Sequence, residues 1–368
     1  MSEPGFDRNA GPRTVVHPGM IGVLSDSSDP RATVRDAFDR ALSGFADDRP
    51  VLVVSHFDAD GLSAAAVLAR GLGRPVEVRI TGKGETPWEP EFRAELEARD
   101  PGGLIVADLG TRAEPVLPGC PTVVIDHHVP TGLAEGATVI SGNGLEPEPT
   151  SALLAYWAVG APDELLWLPA LGLIGDMADE GWPELARAQE RYGKTALKNA
   201  TSLVNAPRRT ASADASPALA LLMRGDGPKI VTKEDSPERE ALLAAKAEVA
   251  AAIDAAKRVP PRVVGEVALI RFQAAQQIHP LIAQQWRGRL KDKIVIAANS
   301  GYRPGWVHFA ARSATGRNLV EFLAEHRPGG ADSRYGSGHA QATGGALRLP
   351  EWNEFVESIG FPEGRIAA

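Results

Sequence analysis

Residues 53–72, VVSHFDADGLSAAAVLARGL, join a short β-branched run to a long alanine-rich segment, and this junction decides the fold. The apolar residues predict a buried strand at 51–55, and the alanine-rich segment predicts a helix from about Gly61. Between them lie His56, Asp58 and Asp60, at alternate positions. The stretch therefore places one imidazole and two carboxylates at the end of a buried strand, where parallel sheets gather their ligands.

The same alternation of short apolar runs and helix-like segments continues along the first half of the chain. The further predicted strands are VEVRI at 76–80, LIVADLG at 104–110 and TVVID at 122–126. Runs that are apolar on both faces and are separated by helices are typical of a parallel sheet covered on both sides. The predicted fold class is therefore α/β, with an N-terminal parallel sheet.

A smaller second α/β domain is predicted beyond a long connecting helix. Residues 206–235 show little strand pattern and are interpreted as irregular linker with some helix. The connecting helix then follows Ser236, a favourable N-cap, and ends near Arg258, before Pro260. The strands predicted after it are at 266–272, 293–300 and 306–313.

Length and composition limit the kind of protein that this sequence encodes. A chain of 368 residues more often forms two domains than one. Its single cysteine, Cys120, excludes an intrachain disulfide framework and favours a reducing compartment, so a cytoplasmic location is expected. We find neither a signal peptide nor an apolar run of about 18 residues, and no membrane association is expected.

The charge is distributed unevenly between the two halves. The whole chain carries a net charge of −8, but residues 260–368 contain 13 Lys and Arg against 9 Asp and Glu, a net charge of +4. Residues 1–259 therefore carry −12. An acidic half joined to a mildly basic half is expected if the first holds cations and the second holds an anion, although ordinary surface variation produces such differences too.

Acidic and imidazole side chains follow three of the predicted strands. Asp108 ends the run LIVAD, and Asp126, His127 and His128 end the run TVVIDHH. Asp oxygens and His nitrogens without thiolates favour hard divalent ions, so Mn²⁺ or Mg²⁺ fits better than structural zinc. A pair of such ions, which activates water and stabilises charge on a phosphoryl group, needs a shared carboxylate, and Asp108 on the middle strand is the natural candidate.

Each of these residues taken alone has an ordinary explanation. His56 by itself fits a hydrogen-bonded histidine, Asp58 fits a helix N-cap, and Asp108 fits a capped turn before Gly110. Their joint placement at strand ends argues against coincidence, and four of the eight histidines lie in these segments or in the glycine-rich stretch 334–345.

The C-terminal part offers a candidate anion site. In the strand at 306–313, Val307, Phe309 and Ala311 are predicted to face a core, while Trp306, His308 and Arg312 share the opposite face. The stretch RYGSGHAQATGG, at 334–345, is interpreted as a glycine-rich loop that brings backbone N–H groups and His339 close to an anionic ligand.

Five motifs follow one another along the chain: SHFDADGLSAA, VADLG, VIDHHVP, LIGDMAD at 173–179 and GSGHAQATGG. In order and spacing they resemble the motifs of the DHH phosphoesterases with a C-terminal DHHA1 domain, in the branch of RecJ-like exonucleases and nanoRNases. The resemblance spans about residues 50–345. It implies a flexible tail at 1–20, a DHH catalytic domain at 21–205, a linker and connecting helix at 206–260, and a DHHA1 substrate-binding domain at 261–368.

The resemblance also implies roles for single residues. His56 and Asp58 would bind one metal, Asp60 and His127 the other, and Asp108 would bridge them. Asp176 would supply the remaining carboxylate ligand of the second metal, with Asp179 as the alternative. His128 would contact the scissile phosphate, and Asp126 would orient an imidazole. The residues implied for substrate binding are Arg312, His339, Gly336 and Gly338; Ser337 departs from the family's Gly-Gly-Gly-His pattern.

The function expected from the residues and the resemblance is that of a Mn²⁺-dependent phosphodiesterase or exonuclease. It would hydrolyse short single-stranded oligonucleotides or strand ends to mononucleotides by two-metal catalysis, with Mg²⁺ or Co²⁺ as possible replacements. The alternatives are a small-molecule phosphatase, a cyclic-dinucleotide phosphodiesterase and a non-catalytic nucleic-acid-binding protein. The choice between DNA and RNA, the polarity of degradation and the oligomeric state stay open at this stage.

Overall fold

The computed structural model describes residues 29–331 and 335–367, and the chain forms two compact units. The first contains residues up to 205 together with 214–242, and the second contains 206–213 together with 243–368. The segment that the sequence assigns to linker and connecting helix is thus shared between the units. The expected tail at 1–20 lies outside the described residues.

A five-stranded parallel sheet forms the centre of the first unit. Its strand order is β2-β1-β3-β4-β5. The strands are β1 (Val51–Ser55), β2 (Val76–Ile80), β3 (Gly103–Ala107), β4 (Thr122–Asp126) and β5 (Thr138–Ser141). Every residue of β1 and β3 is buried, as expected for β-branched and aliphatic strands covered on both faces. The predicted parallel α/β sheet is confirmed.

Helices of the first unit enclose this sheet. They are α1 (Pro30–Leu42), α2 (Ala59–Gly71), α3 (Pro90–Glu97), α4 (Ser151–Ala158), α5 (Trp167–Gly175), α6 (Pro183–Tyr192), α7 (Lys194–Val204), α8 (Ser216–Arg224) and α9 (Lys229–Thr232). The helix α10 (Pro237–Ala256) then begins in the first unit and continues into the second. Ser236 caps it as predicted, since its hydroxyl accepts a hydrogen bond from the N–H of Arg239.

The second unit is built on a mixed six-stranded sheet of order β10-β11-β9-β8-β7-β6. Its strands are β6 (Arg262–Val264), β7 (Val267–Phe272), β8 (Ile294–Arg303), β9 (Trp306–Ser313), β10 (Ser337–His339) and β11 (Ala342–Arg348). Its helices, in addition to the end of α10, are α11 (His279–Arg289), α12 (Leu319–Glu325) and α13 (Leu349–Ser358). As predicted, Val307, Phe309 and Ala311 enter one core, which α12 and α13 cover.

The stretch 334–345 corrects one interpretation of the sequence. Of the residues expected to form a glycine-rich loop, 337–339 and 342–345 instead belong to the strands of the hairpin β10–β11, which extends the sheet beyond β9. Gly344 explains why glycine is needed here, because a Cβ atom at this position would lie 2.4 Å from the carbonyl oxygen of Phe309. The glycines thus allow close strand pairing.

Among the described residues, no helix is both long enough and apolar enough to cross a membrane.

Candidate metal centre

The loop between β1 and α2 holds the first histidine and carboxylate. Asp58 is the N-cap of α2, and its Oδ1 accepts a hydrogen bond of 3.1 Å from the N–H of Gly61. Its other oxygen, Oδ2, lies 3.2 Å from Nδ1 of His56. Gly61 is required because a Cβ atom there would lie 2.4 Å from the carbonyl oxygen of His56. The helix start therefore fixes His56 and Asp58 side by side.

Asp60 is fully buried in the first turn of α2 and is held by the start of another helix. Its two oxygens accept hydrogen bonds from the N–H groups of Ser151 (2.8 Å) and Ala152 (3.0 Å). These groups open α4, where the partial positive charge of a helix N-terminus favours a carboxylate. Gly172 of α5 lies so close to this carboxylate that a Cβ atom there would be 2.2 Å from Oδ1 of Asp60.

Asp108 lies directly after β3 and between the two sets of donors. Its Oδ2 is 3.6 Å from Nδ1 of His56, while its Oδ1 is 3.5 Å from Nε2 of His127. Oδ1 also accepts a hydrogen bond of 3.1 Å from the hydroxyl of Ser151. The φ angle of Asp108 is +62°, a left-handed conformation that costs energy for residues other than glycine. Such strain is typical of positions where function dictates the direction of a side chain.

His127 and Asp176 complete the second set of donors. Nε2 of His127 lies 3.2 Å from Oδ2 of Asp176, the residue that ends α5. This nitrogen is buried and has no hydrogen-bond partner of suitable geometry among the described residues. Because buried polar atoms are rarely left unpaired, an orphaned imidazole nitrogen among carboxylates is what a metal site predicts.

His128 and Asp126 form a pair beside this cluster. Nδ1 of His128 lies 3.0 Å from Oδ1 of the buried Asp126, which also accepts a hydrogen bond of 2.7 Å from the His128 N–H. The other oxygen of Asp126 accepts from the N–H of Gly110 at 2.6 Å. Asp126 therefore fixes the ring of His128, which remains about half exposed.

The donors fall into groups whose candidate ligand atoms lie within 4.8 Å of one another. One group contains His56, Asp58 and Asp108, and another contains Asp60, Asp108, His127 and Asp176. A third joins Asp108 to His127 and His128. Asp108 belongs to all three, whereas Asp179 belongs to none of those found among the described residues. Carboxylate oxygens and imidazole nitrogens in two sets with one shared carboxylate fit a pair of hard divalent cations.

The electrostatics of the cluster also favour bound cations. Burial and the nearby Asp108 raise the pKa of Asp60 well above its usual value, and burial raises that of Asp176. Burial lowers the pKa of His56, but Asp58 and Asp108 outweigh it and raise the pKa to about 10. Burial likewise lowers the pKa of His127, but Asp108 and Asp176 raise it to about 11. Without metal, the protons on His56 and His127 offset the negative charge of the carboxylates. Bound metal ions would take over this role.

We expect metal binding to release protons. Since His56 and His127 have raised pKa values, both are protonated at neutral pH without metal, and a ligating imidazole must lose its proton. Binding of Mn²⁺ near pH 7 should therefore release about two protons from these two imidazoles, and the apparent affinity should rise with pH. Calorimetry in buffers of different ionisation enthalpy measures the release. Binding without net proton release, or an affinity that falls with rising pH, would contradict these assignments.

Two residues that the sequence analysis missed shape the centre. Ser151 contacts both Asp60 and Asp108, and Gly172 makes room for Asp60. The pair Thr150-Ser151 before an apolar run is a recognisable helix start, so a signal for Ser151 was present. Nothing local in the sequence distinguishes Gly172 from other helical glycines.

In the second unit, the sheet register brings together residues implied in substrate binding. His339 pairs with Ala342, and Ala342 pairs with Arg312. Residues directly opposite one another in antiparallel strands point to the same face, so His339 and Arg312 share a face, separated by one strand. Gly336 and Gly338 flank Ser337 with φ angles of +76° and +139°, which suit glycine.

Comparison with solved structures finds similar folds. The protein is similar to RecJ from Thermus thermophilus in complex with Mn²⁺ (TM-score 0.67, 22% identity, 89% of this chain and 54% of that chain). It is also similar to an exonuclease RecJ bound to manganese (TM-score 0.61, 23% identity), with 90% of this chain and 95% of that chain covered. A third match is the DHH domain of a member of a family of ribosomal proteins (TM-score 0.61, 15% identity), with 92% of this chain and 93% of that chain covered.

These similarities concern the fold rather than the sequence. The chain spans about half the length of the Thermus RecJ. No profile of a known protein family matches the sequence, and no curated protein matches it. The structural matches nevertheless extend over about nine-tenths of this chain, across both of its units. The chain therefore has the fold that these RecJ and DHH-domain structures share.

Proposed function

We propose that this protein is a metal-dependent phosphoesterase that hydrolyses phosphodiester bonds in short single-stranded oligonucleotides or at strand ends. The observation that carries the proposal is the position of Asp108, which lies between two sets of donors and belongs to both. Such an arrangement suits two ions about 3.5–4 Å apart that share one carboxylate. The DHH fold supports the same reaction class.

In this proposal, His56 and Asp58 would hold one ion, Asp60, His127 and Asp176 would hold the other, and Asp108, which belongs to both sets of donors, would contribute to both. When bound, the two ions activate a water molecule and offset the charge that grows on the phosphoryl group during in-line attack. The protein contributes a rigid set of ligands. Asp60 is fixed by the α4 N–H groups, and Asp108 by the Ser151 hydroxyl. Mn²⁺ is our choice for both ions, with Mg²⁺ and Co²⁺ as alternatives of similar ligand preference.

We assign to His128 the role of contacting the scissile phosphate. Hydrogen bonding and the charge of Asp126 raise the pKa of His128, which favours an imidazolium that donates to a phosphate oxygen. Burial raises the pKa of Asp126, but bonds from His128 and from backbone N–H groups outweigh burial and keep it below its usual value. Asp126 therefore stays ionised and holds the His128 ring in place.

The second unit is assigned to substrate binding. Arg312 donates hydrogen bonds to the carbonyl oxygens of Ala311 (2.9 Å) and Thr343 (3.1 Å), which fix its guanidinium against the sheet. His339 shares the same face of the sheet and is exposed. An arginine in a fixed geometry and an imidazole on one face suit the phosphate of a terminal nucleotide.

The test is hydrolysis of a labelled series, from a dinucleotide to a single strand of about twenty nucleotides, in DNA and in RNA. Each substrate is incubated with Mn²⁺, Mg²⁺ or Co²⁺ and then with chelator. We expect chelator-sensitive release of mononucleotides, fastest with Mn²⁺ and with the short substrates. Because the Thr201 hydroxyl donates to the Leu197 carbonyl within α7, Thr201→Ser keeps this bond and serves as a variant that should leave the rate unchanged.

The same series includes cyclic dinucleotides and nucleoside monophosphates. Turnover of these compounds without hydrolysis of any linear oligonucleotide would replace the oligonucleotide assignment by that of a small-molecule or cyclic-dinucleotide phosphoesterase. Binding of single strands without hydrolysis of any substrate in any of the three metals would contradict the catalytic proposal.

A further inference from the structure

A cavity of about 670 Å³ lies in the first unit, on the face of the parallel sheet that α3 also covers. Its lining includes Val106 of β3, Val124 of β4 and Val139 of β5, which are partners in the register of these strands. Partners in neighbouring parallel strands point to the same face, so the three valines form one apolar floor. The cavity therefore lies over a face of the sheet, and its lining contains none of the metal donors.

The loop between β3 and β4 contributes a wall of restricted flexibility. Three prolines of this loop, Pro115, Pro118 and Pro121, line the cavity and limit the backbone angles of the loop. Val116 and Leu117, between the first two prolines, are buried in the core of the unit and anchor the loop there. A wall that is held in this way keeps the cavity open without a ligand, as is usual for small-molecule sites.

An indole ring in a fixed position also lines the cavity. Nε1 of Trp88 donates a hydrogen bond of 2.8 Å to the carbonyl oxygen of Glu114, and the guanidinium carbon of Arg112 lies 4.4 Å from the centroid of the ring. The Glu114 carboxylate is paired with Arg93 at 2.6 Å. A held indole next to a floor of valines suits a planar, apolar ligand.

One polar side chain of the lining has no partner. Thr111 is 4% exposed, and its Oγ1 is buried without a hydrogen-bond partner among the described residues. The hydroxyl of Thr131 donates a bond of 2.6 Å to the Thr111 carbonyl oxygen, which holds the backbone in place. Because buried hydroxyl groups are rarely left unpaired, Thr111 indicates a ligand that carries a hydrogen-bonding group.

The charges of the lining argue against an anionic ligand. The charged residues are one arginine and two glutamates, Arg112, Glu114 and Glu135, which give a net charge of −1. Arg112 is occupied by the Trp88 ring, and apolar walls make the burial of an unpaired charge costly. The volume of about 670 Å³ falls within the range of roughly 300–1,000 Å³ that is typical of small-molecule sites.

We propose that this cavity binds an uncharged aromatic small molecule of about two fused rings that carries one hydroxyl or carbonyl group. Its rings lie on the valines of β3, β4 and β5 and beside the indole of Trp88. Its polar group forms a hydrogen bond with Oγ1 of Thr111. The site goes beyond the proposed phosphoesterase function and does not depend on it, because no metal donor takes part.

The test is calorimetric binding of 2-naphthol, naphthalene and naphthalene-2-sulfonate to the full chain in chelator. The three probes share the same two rings, and near pH 7 only the sulfonate is charged. 2-Naphthol should bind about tenfold or more tightly than the sulfonate, because the sulfonate would place a negative charge between apolar walls. Addition of Mn²⁺ should leave the affinity for 2-naphthol unchanged.

Two substitutions separate the role of the apolar floor from that of the hydroxyl. Val124→Phe fills the space above β4 and should abolish binding of 2-naphthol, whereas Val320→Phe, at a position of α12 that is 36% exposed, should not change it. Thr111→Val keeps the shape of the side chain and removes its hydroxyl. It should weaken binding of 2-naphthol about fivefold and leave that of naphthalene unchanged. Circular dichroism verifies the fold of each variant.

A second measurement uses the wild-type chain, so it does not depend on how the variants fold. Cys120 lines the cavity and is the only cysteine in the sequence, so alkylation by iodoacetamide reports on this site alone. Because burial raises the pKa of the Cys120 thiol, the rate is measured at about pH 8.5. Saturating 2-naphthol should slow the alkylation about fivefold or more, and the sulfonate at the same concentration should not.

Loss of 2-naphthol binding in Val124→Phe, weaker binding in Thr111→Val and protection of Cys120 would together establish the site. The proposal would be overturned if 2-naphthol did not bind, bound no more tightly than the sulfonate, or required Mn²⁺. Unchanged 2-naphthol binding in both Val124→Phe and Thr111→Val would overturn it too, as would alkylation of Cys120 at the same rate with and without 2-naphthol. None of these measurements uses hydrolysis, so their outcome is separate from that of the phosphoesterase assays.

Discussion

Asp108→Asn is expected to reduce hydrolysis by more than the roughly 10–100-fold that follows loss of a residue that only supports a metal ligand. Asp108 contributes to both sets of donors, so its replacement weakens the binding of both ions at once. Asparagine is the variant of choice because it has the same shape and tolerates the φ angle of +62° that Asp108 adopts. The measurement is kcat/KM in saturating Mn²⁺, with circular dichroism to verify the fold.

Two further Asp→Asn variants serve as comparisons. Asp176→Asn should also lose activity, because Oδ2 of Asp176 lies 3.2 Å from the orphaned His127 nitrogen. Asp179→Asn should retain activity within about twofold, because Asp179 is outside the donor groups. If Asp179→Asn lost activity and Asp176→Asn retained it, Asp179 would be the metal ligand instead. Substantial hydrolysis by Asp108→Asn would refute the bridging role.

Gly172→Ala is expected to lower activity by about 10–100-fold although Gly172 carries no functional group. The added methyl group would lie 2.2 Å from Oδ1 of Asp60 and 2.9 Å from the Cβ of Ala152. Asp60 is fully buried and tied to two N–H groups, so it cannot move without breaking those bonds. We therefore expect weaker binding of one of the two ions, measured as a higher Mn²⁺ concentration for half-maximal activity.

Gly288→Ala is the matched control for this substitution. Gly288 is also a helical glycine, in α11, but a Cβ atom there would meet no other atom within 4 Å. Replacing a helical glycine by alanine in open space stabilises a helix by up to about 1 kcal/mol. Gly288→Ala should therefore keep full activity and melt at the same or a higher temperature. A Gly172→Ala enzyme with wild-type metal dependence would show that Asp60 is not a ligand.

The strand-end residues could be predicted from the sequence because neighbouring parallel strands all end at the same edge of the sheet. A β-branched run at 51–55 followed by His56, and another at 122–126 followed by His127, must bring both imidazoles to one edge of the sheet. The structure indeed brings them to within 3.6 Å of the same carboxylate, that of Asp108. The pattern of apolar runs and the expectation of a parallel sheet were sufficient to predict that these residues lie close together.

Other parts of the site depend on contacts that are distant in sequence. Ser151 follows Asp60 by about ninety residues, and only the packing of α4 against α2 brings its N–H group to that carboxylate. The hairpin β10–β11 was missed because its glycines suggest a loop, whereas close pairing with Phe309 requires them. The short edge strand β5 was missed as well, since four residues give a weak periodic signal.

The two-metal centre predicts how many Mn²⁺ ions the wild-type chain binds and how close together they lie. Titration followed by electron paramagnetic resonance is expected to show two ions per chain with a spin-coupled spectrum, because a shared Asp108 carboxylate would hold them about 3.5–4 Å apart. In Asp108→Asn the coupled spectrum should disappear. A single ion per chain, or two uncoupled ions that persist in Asp108→Asn, would contradict the two-metal centre.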